Sequence, residues 1–326
     1  MSTLSFAYAP TAFRMLEGVL AVYKPAGLGI NSLHNQIISK LLTDMNNLEQ
    51  RPQKQRLLSK VQTANSTNQS LIPQTNVPDW SDHILVTGPR YRNEDFHISF
   101  GNLLDADACG VQVIGVKKKG EKQLKRLKYM KLSSTYRAFG QFGLTSMSHS
   151  PKTRILERST WDHLSSDKIN RVLMAMQGAH RNAMLRDSGL ELSSHKAYEL
   201  ASKGLLRPME GNEPVIVDLK LSSLNLPHFS LEVTCLNDTC GFIRKLVHEV
   251  AAELRSSAIC TKLQRQRVSV FSHDNKHTLL SHQMNVNNFI NSIHHYKEAF
   301  DSQLANKKKY LRKENLMDNC EVQFSN

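Results

Sequence analysis

The chain has 326 residues, and 42 Lys and Arg against 29 Asp and Glu give it a formal charge of +13. This balance indicates a polyanionic partner, either nucleic acid or an anionic membrane surface, rather than an acidic protein substrate. No apolar run approaches the roughly 18 to 20 residues of a membrane-spanning helix, so we expect no membrane span.

The cysteines argue against a disulfide-rich scaffold and against a zinc-binding domain. There are five, at positions 109, 235, 240, 260 and 320, without a Cys-x-x-Cys pair. An odd number in a chain of this length disfavours a disulfide scaffold, and the spacing disfavours a zinc site. We therefore expect reduced thiols in an intracellular compartment and no metal.

The first sixteen residues, MSTLSFAYAPTAFRML, contain hydroxyl and small residues, one Arg and no acid. That composition is compatible with an organellar transit segment, and a disordered start is an equal alternative. Residues 18–25, GVLAVYKP, then predict a buried strand, and residues 31–45 predict a helix with an apolar stripe.

A long polar insertion is predicted from about residue 46 to 80, because the segment is rich in Gln, Asn, Ser, Thr and Pro. Its basic cluster RPQKQR fits a solvated loop better than a contact with a polyanion. Residues 111–116, VQVIGV, predict a strand that can be buried on both faces.

Residues 117–131, KKKGEKQLKRLKYMK, place eight basic residues against one acid, Glu121, and predict a helix with a cationic outer face. Such a face is either simply solvated or a phosphate-contacting surface that includes Lys117, Lys118 and Lys119.

The second half alternates strands and helices without βαβ regularity. Strands are predicted from Ser134 (STYRAFGQFG) and at 215–226 and 229–236; helices are predicted at 193–206, 242–257 and about 286–304, before a basic end, KKKYLRKE. This mixture predicts an α+β fold with a mainly antiparallel mixed sheet flanked by helices.

One acid stands out in residues 101–110, GNLLDADACG, where Asp105 lies among small and apolar residues. Most such aspartates are turn or cap residues, but a carboxylate nucleophile would also need small neighbours for close backbone approach. An arginine partner would keep it ionised. The residues alone do not decide between a turn aspartate and a nucleophile. The sequence contains no GxSxG, HExxH or GxxxxGK[ST] motif, which argues against the hydrolases and phosphate-binding loops that carry them.

Five segments, in order, resemble the TruB family of RNA pseudouridine synthases, and especially its animal mitochondrial branch. They lie within residues 17–272 and are GVLAVYKPAGLGINS, GNLLDADACGVQVIGV, SSTYRAFGQFG, HKAYELASKGLL and CGFIRKLVHEVAAEL. The resemblance implies the pseudouridine synthase fold and an enzyme that isomerises uridine in RNA without a metal or other cofactor.

The resemblance also implies roles for individual residues. Asp105 would be the nucleophile, Arg244 its charged partner, and Tyr136 a base-stacking residue that assists proton transfer. Leu263, nineteen residues after Arg244, would line the uracil pocket. Lys24 would support the fold or contact RNA, and Lys117, Lys118 and Lys119 would contact phosphates.

The organisation expected from these observations is a possible transit segment at 1–16, a catalytic domain at 17–272 and a helical basic tail at 273–326. A C-terminal PUA-type domain, present in bacterial members, is not expected. The protein would be a monomer of the mitochondrial matrix acting on tRNA, mRNA or rRNA, with RNA-processing or ribosome-assembly factors as further partners.

The chain also departs from the family pattern. Leu103 replaces a Thr or Arg, Ala106 replaces a bacterial Pro, Asp187-Ser188 replaces Tyr-Ser, and LTSMSHS after Gly143 lacks an acidic element. These departures affect target recognition more than catalysis. They leave an alternative, a non-catalytic RNA-binding protein that retains the synthase fold and acts in mitochondrial RNA or ribosome assembly.

Overall fold

The alternating apolar segments form strands in the computed structural model, which describes residues 7–59, 74–129, 133–187 and 214–302, and residues 195 and 198. The strands are β1 Gly18–Lys24, β2 Gln55–Ser59, β3 Gln74–Pro78, β4 Ile98–Phe100, β5 Cys109–Val116, β6 Ser134–Phe142, β7 Leu144–Ser146, β8 Ile155–Arg158, β9 Val215–Asn225, β10 His228–Leu236, β11 Ala258–Val268, β12 Phe271–Ser272 and β13 Thr278–Leu279. The helices are α1 Ala9–Met15, α2 Ile30–Asn47, α3 Ile84–Thr87, α4 Lys117–Tyr129, α5 Ser166–Asp187, α6 Cys240–Glu253 and α7, residues 286–302.

One mixed sheet of nine strands organises the described residues, in the order β13-β1-β5-β11-β6-β10-β9, with β4 beside β5 and β12 beside β11. The pairs β1–β13 and β5–β11 are parallel, and the other pairs are antiparallel. The predicted α+β class with a mainly antiparallel sheet is therefore confirmed.

Strand β5 is buried on both faces, as its apolar run predicts. Val111 and Val113 pack with Leu124 of α4 on one face, while Ile114 and Val116 join the core formed with α2 and α7 on the other. Helix α4 lies directly against the sheet backbone at Gly120. A Cβ there would lie only 2.4 Å from the Gly18 carbonyl oxygen, so a larger residue would not fit.

Helix α6 packs on the other half of the sheet through the predicted stripe. Ile243, Leu246, Val247 and Val250 are fully buried, in a core shared with β6, β9, β10, β11 and α5. Arg244 is not part of this buried stripe. The order of the sheet brings the start of α6 close to the loop between β4 and β5.

The structure adds detail to three of the expected regions. The expected boundary at 272 falls inside the main sheet, since β13 pairs with β1 and α7 buries Phe289 and Ile290. Helix α1 packs on α2 through buried Ala9 and Ala12, within the expected transit segment. The polar insertion contains the antiparallel pair β2–β3, with residues 60–73 outside the described part.

Several other predictions lie outside the described residues. The helix at 193–206 is described only at His195 and Tyr198, and Ser188, Cys320 and the basic end are not described. The four described cysteines are free thiols, as expected. In the described ranges, no helix combines the length and apolar character that crossing a bilayer requires.

Candidate active site

The loop at residues 101–108 joins β4 to β5 and presents Asp105 at the surface. Leu104 is 2% exposed and anchors the loop in the core, whereas the side chain of Asp105 is 52% exposed. Gly110, at the start of β5, has a φ of +120° and approaches the Arg265 backbone so closely that a Cβ would lie 2.1 Å from its carbonyl oxygen. Only glycine fits there, so β5 and β11 meet directly behind the loop.

Lys24 holds this loop from below. Its fully buried Nζ donates to the carbonyl oxygens of Asp105 at 2.9 Å, Ala106 at 3.1 Å and Ala108 at 2.7 Å. Burial lowers the pKa of Lys24, and neighbouring Cys240, Cys109 and Asp105 oppose that effect. These contacts favour support of the fold, the first of the two roles expected for Lys24, and contact with RNA stays a prediction.

Arg244 pairs with Asp105, as expected. Thr239 caps α6 by accepting a hydrogen bond from the Phe242 amide at 3.1 Å, and Arg244 lies in the next turn. Its Nη1 donates to Oδ2 of Asp105 at 2.5 Å. Burial acts to lower the pKa of Arg244, but the hydrogen bond and the charge of Asp105 outweigh it, so the pKa lies above its ordinary value.

Tyr136 lies beneath the loop, in the same apolar cluster as Leu104 and Leu263. Its ring is 1% exposed, its hydroxyl donates to Asp238, and Arg265 Nη1 donates to that hydroxyl at 3.4 Å. Tyr136 and Leu263 are therefore close to the site, while base stacking and pocket lining stay predictions for both.

The buried phenol predicts a loss of stability in alkali. Burial raises the pKa of Tyr136 well above 10.0, so above about pH 10 the unfolded chain loses this proton while the folded chain keeps it. The free energy of unfolding should fall with rising pH by up to about 1.4 kcal/mol per unit from this group. Denaturant unfolding between pH 9 and 11 should give a shallower slope for Tyr136→Phe, and equal slopes would contradict the buried neutral phenol.

Four polar residues around Tyr136 are absent from the sequence-based predictions: Asn102, Gln112, Asp238 and Arg265. Gln112 and Arg265 are fully buried, and Asp238 is 5% exposed. Arg265 could have been found from its strand, because it lies two residues after Leu263 and strand residues at i and i+2 share a face. Asp238 carries no comparable signal, since an acid before a helix is ordinarily a cap.

The start of α4, which carries Lys117, Lys118 and Lys119, lies apart from Asp105. Strand β5 spans about 23 Å at the usual rise per residue and separates the loop from the start of α4. Lys117 is used inside the fold, because its Nζ lies 3.3 Å from the Phe13 ring centroid and donates to the Phe13 carbonyl. Lys118 and Lys119 are exposed. Lys118 and Lys119 are thus distant from Asp105, and the Lys117 ammonium is engaged with Phe13. Contact of these lysines with phosphates stays a prediction.

The segment after Gly143 contacts the loop at residues 101–108. Lys152 forms an ion pair with Asp107, two residues from Asp105. His149 stacks on His248 of α6, with ring centroids 4.6 Å apart. Among the described residues no cluster of three or more His, Cys, Asp or Glu could hold a metal ion.

Comparison with known proteins identifies the family. Residues 92–240 match the model of the TruB family pseudouridylate synthase, N-terminal domain. The chain is 34% identical over 270 residues to pseudouridylate synthase TRUB2, mitochondrial, of Xenopus tropicalis, covering 82% of each protein. It is 33% identical over 280 residues to the Homo sapiens protein of that name, covering 85% of this chain and 83% of the other. The chain belongs to the TruB family.

Membership of the TruB family makes the protein an RNA pseudouridine synthase, which is an isomerase, as the sequence motifs predicted. Among solved structures, one titled "Crystal Structure of a Cbf5-Nop10-Gar1 Complex" aligns with a TM-score of 0.44 and 14% identity, over 82% of this chain and 53% of the other.

Proposed function

We propose that this TruB-family synthase isomerises uridine to pseudouridine in mitochondrial RNA, with Asp105 as the nucleophile. The observation that supports this most directly is the ion pair between Asp105 and Arg244, which joins residues 139 positions apart at an exposed loop. Burying most of the Arg244 guanidinium costs desolvation free energy. Charged groups held at such a cost are often found at functional sites.

The reaction needs little else from the protein. The bond from ribose C1′ to N1 breaks, the uracil rotates, C5 joins C1′, and the C5 proton is lost while N1 gains one, so atoms and charge balance. As the nucleophile, the exposed Asp105 carboxylate would form a bond to the ribose or the base, and this bond would break again before pseudouridine is released. The target base must leave its stack, which costs a few kcal/mol and is offset by contacts in the pocket.

Arg244 holds and orients that carboxylate through their ion pair. Tyr136 and Leu263 supply the apolar floor of the uracil pocket, and Leu104 of the loop belongs to the same cluster. Tyr136 is proposed to stack on the base and to assist the proton transfer from C5. The exposed Lys118 and Lys119 would contact more distant phosphates of the same RNA.

The location and partners rest on the relatives and on composition. The similar proteins from Xenopus tropicalis and Homo sapiens carry "mitochondrial" in their names, and the first sixteen residues contain no acid. We therefore infer a monomer of the mitochondrial matrix that acts on tRNA, mRNA or rRNA, alongside RNA-processing or ribosome-assembly factors.

One observation favours a second function, RNA binding without modification. Position 187, where the family motif has Tyr, is Asp, at the end of α5. A synthase fold that only binds RNA, however, has no need for the charged pair at Asp105 and Arg244.

The test is pseudouridine mapping across mitochondrial RNA from cells that lack the endogenous protein, complemented with wild type or Asp105→Asn. Sites restored by wild type and not by the variant would support the enzyme and identify its substrate. If neither protein restores a site while both restore RNA or ribosome levels, the binding function replaces the catalytic one.

A further inference from the structure

Asp238 is a buried acid whose role neither the motifs nor the helix cap explains. It is 5% exposed and precedes Thr239, which already caps α6. Its carboxylate accepts hydrogen bonds from the Tyr136 hydroxyl and from Asn102 Nδ2, the latter at 2.9 Å. Since carboxylates are seldom buried without a specific partner, these two contacts are the candidates for its function.

Arg265 closes the arrangement from the other side. Its fully buried guanidinium donates to the Val111 carbonyl at 2.8 Å, to Gln112 Oε1 at 3.2 Å and to the Tyr136 hydroxyl at 3.4 Å. The Tyr136 hydroxyl therefore donates to an acid and accepts from a cation. A hydroxyl engaged in both directions has a fixed orientation, and so has its ring.

This hydrogen-bond network also reaches the loop at residues 101–108, through Gln112 and Asn102. Gln112 Oε1 accepts from the Leu104 amide at 3.2 Å, and Gln112 Nε2 donates to the Gly101 carbonyl. Asn102 ties the loop to Asp238. The loop is thus held at three residues before Asp105, and each hold leads back to the Tyr136 hydroxyl through Asp238 or Arg265.

We propose that Asp238 is a positioning residue, which fixes Tyr136 and, through Asn102, the loop that carries Asp105, in the reactive arrangement. The inference rests on the proposed function and deepens it. Asp238 is half of the pair of charges that orients Tyr136, and it contacts the loop itself. A displacement of the reacting groups by about 1 Å can lower a rate about a hundredfold, so a residue remote from the substrate can control the rate.

The test is a double-mutant cycle in single-turnover assays on a uridine-containing target RNA at saturating enzyme. Asp238→Ala should lower the rate by about tenfold to a hundredfold, with the RNA dissociation constant within about twofold of wild type. Asp238→Asn, which keeps an acceptor oxygen, should recover most of the rate. In the Tyr136→Phe background, Asp238→Ala should lower the rate by a smaller factor than in wild type. The hydroxyl that Asp238 orients is gone there, and only its contact with Asn102 of the loop is left to lose.

The matched control is Asp218→Ala, which removes an acid that pairs with Lys220 on β9 and should leave the rate unchanged. Equal losses from Asp238→Ala in both backgrounds, or a loss of RNA affinity that accounts for the rate, would overturn the inference. If Asp238→Ala does not fold, Asn102→Ala takes its place, since it removes one donor to the same carboxylate from an exposed residue. An unchanged rate for that variant would also overturn it.

Failure of the proposed function has a different signature. Wild-type protein that makes no pseudouridine in any tested RNA overturns the proposed function and the catalytic role of Asp238 together. If wild type is active but Asp238→Ala lowers the rate equally in the wild-type and Tyr136→Phe backgrounds, only the role of Asp238 is overturned.

Discussion

Asp105→Asn should abolish pseudouridine formation and leave the protein folded and able to bind RNA. Asparagine keeps the shape of the side chain but has no carboxylate to act as nucleophile, so the single-turnover rate should fall by at least about a thousandfold. RNA affinity should stay within about tenfold, because it depends chiefly on phosphate contacts. The free energy of unfolding should change by no more than about 1 kcal/mol, since the carboxylate is half exposed.

The loop itself offers the control. Asp107 lies two residues from Asp105 and pairs with Lys152, so Asp107→Asn changes the same charge in the same segment without removing the proposed nucleophile. That variant should keep its rate within about fivefold of wild type, since a half-exposed ion pair is worth about 1 kcal/mol or less. Full activity in Asp105→Asn, or equal losses in the two variants, would show that Asp105 is not the nucleophile.

The elements predicted correctly are those whose pattern is local. Strand β5 has an unbroken apolar run and helix α6 has a stripe at i, i+3, i+4 and i+7, so each sequence segment carries its own periodicity. The pairing of Asp105 with Arg244 was accessible for a different reason, because family motifs mark both residues. The geometry then joins them at 2.5 Å.

The features that were missed depend on contacts between distant segments. In strand β11 the alternation from Leu263 places Arg265 on the same face, but it does not reveal the guanidinium's acceptor, a carbonyl oxygen 154 residues earlier. Lys117 looked like part of a cationic face, but its ammonium is directed to Phe13, 104 residues earlier. No periodicity in a single segment can report such a partner.

The same limit applies to Lys24, whose role the motif left open between fold and RNA. Its ammonium is enclosed by the carbonyl oxygens of a loop more than 80 residues away. A cation with all its donors engaged by backbone oxygens stabilises one conformation of that loop. The pairing of Asp105 with Arg244 was thus accessible from the sequence, whereas the contacts that support the loop were not.

Arg244→Met should produce the second largest loss, because it leaves Asp105 without its cation while keeping a side chain of similar length. The single-turnover rate should fall by about a hundredfold, the usual loss on removing one charged donor from a reacting centre. The Arg244 side chain is 12% exposed and that of Asp105 is 52% exposed. The free energy of unfolding should therefore fall by about 1 to 2 kcal/mol, less than for a fully buried pair.

Arg244→Lys separates charge from geometry. The ammonium preserves the positive charge but lacks the planar guanidinium that reaches Oδ2 of Asp105 from α6, so the rate should lie between wild type and Arg244→Met. Single-turnover rates and denaturant unfolding of all three proteins, measured side by side, check both expectations. If Arg244→Met retained the wild-type rate, the ion pair would serve only the fold and would not be needed for the reaction. If Arg244→Lys fell as low as Arg244→Met, orientation of the carboxylate, rather than its charge, would be what Arg244 contributes.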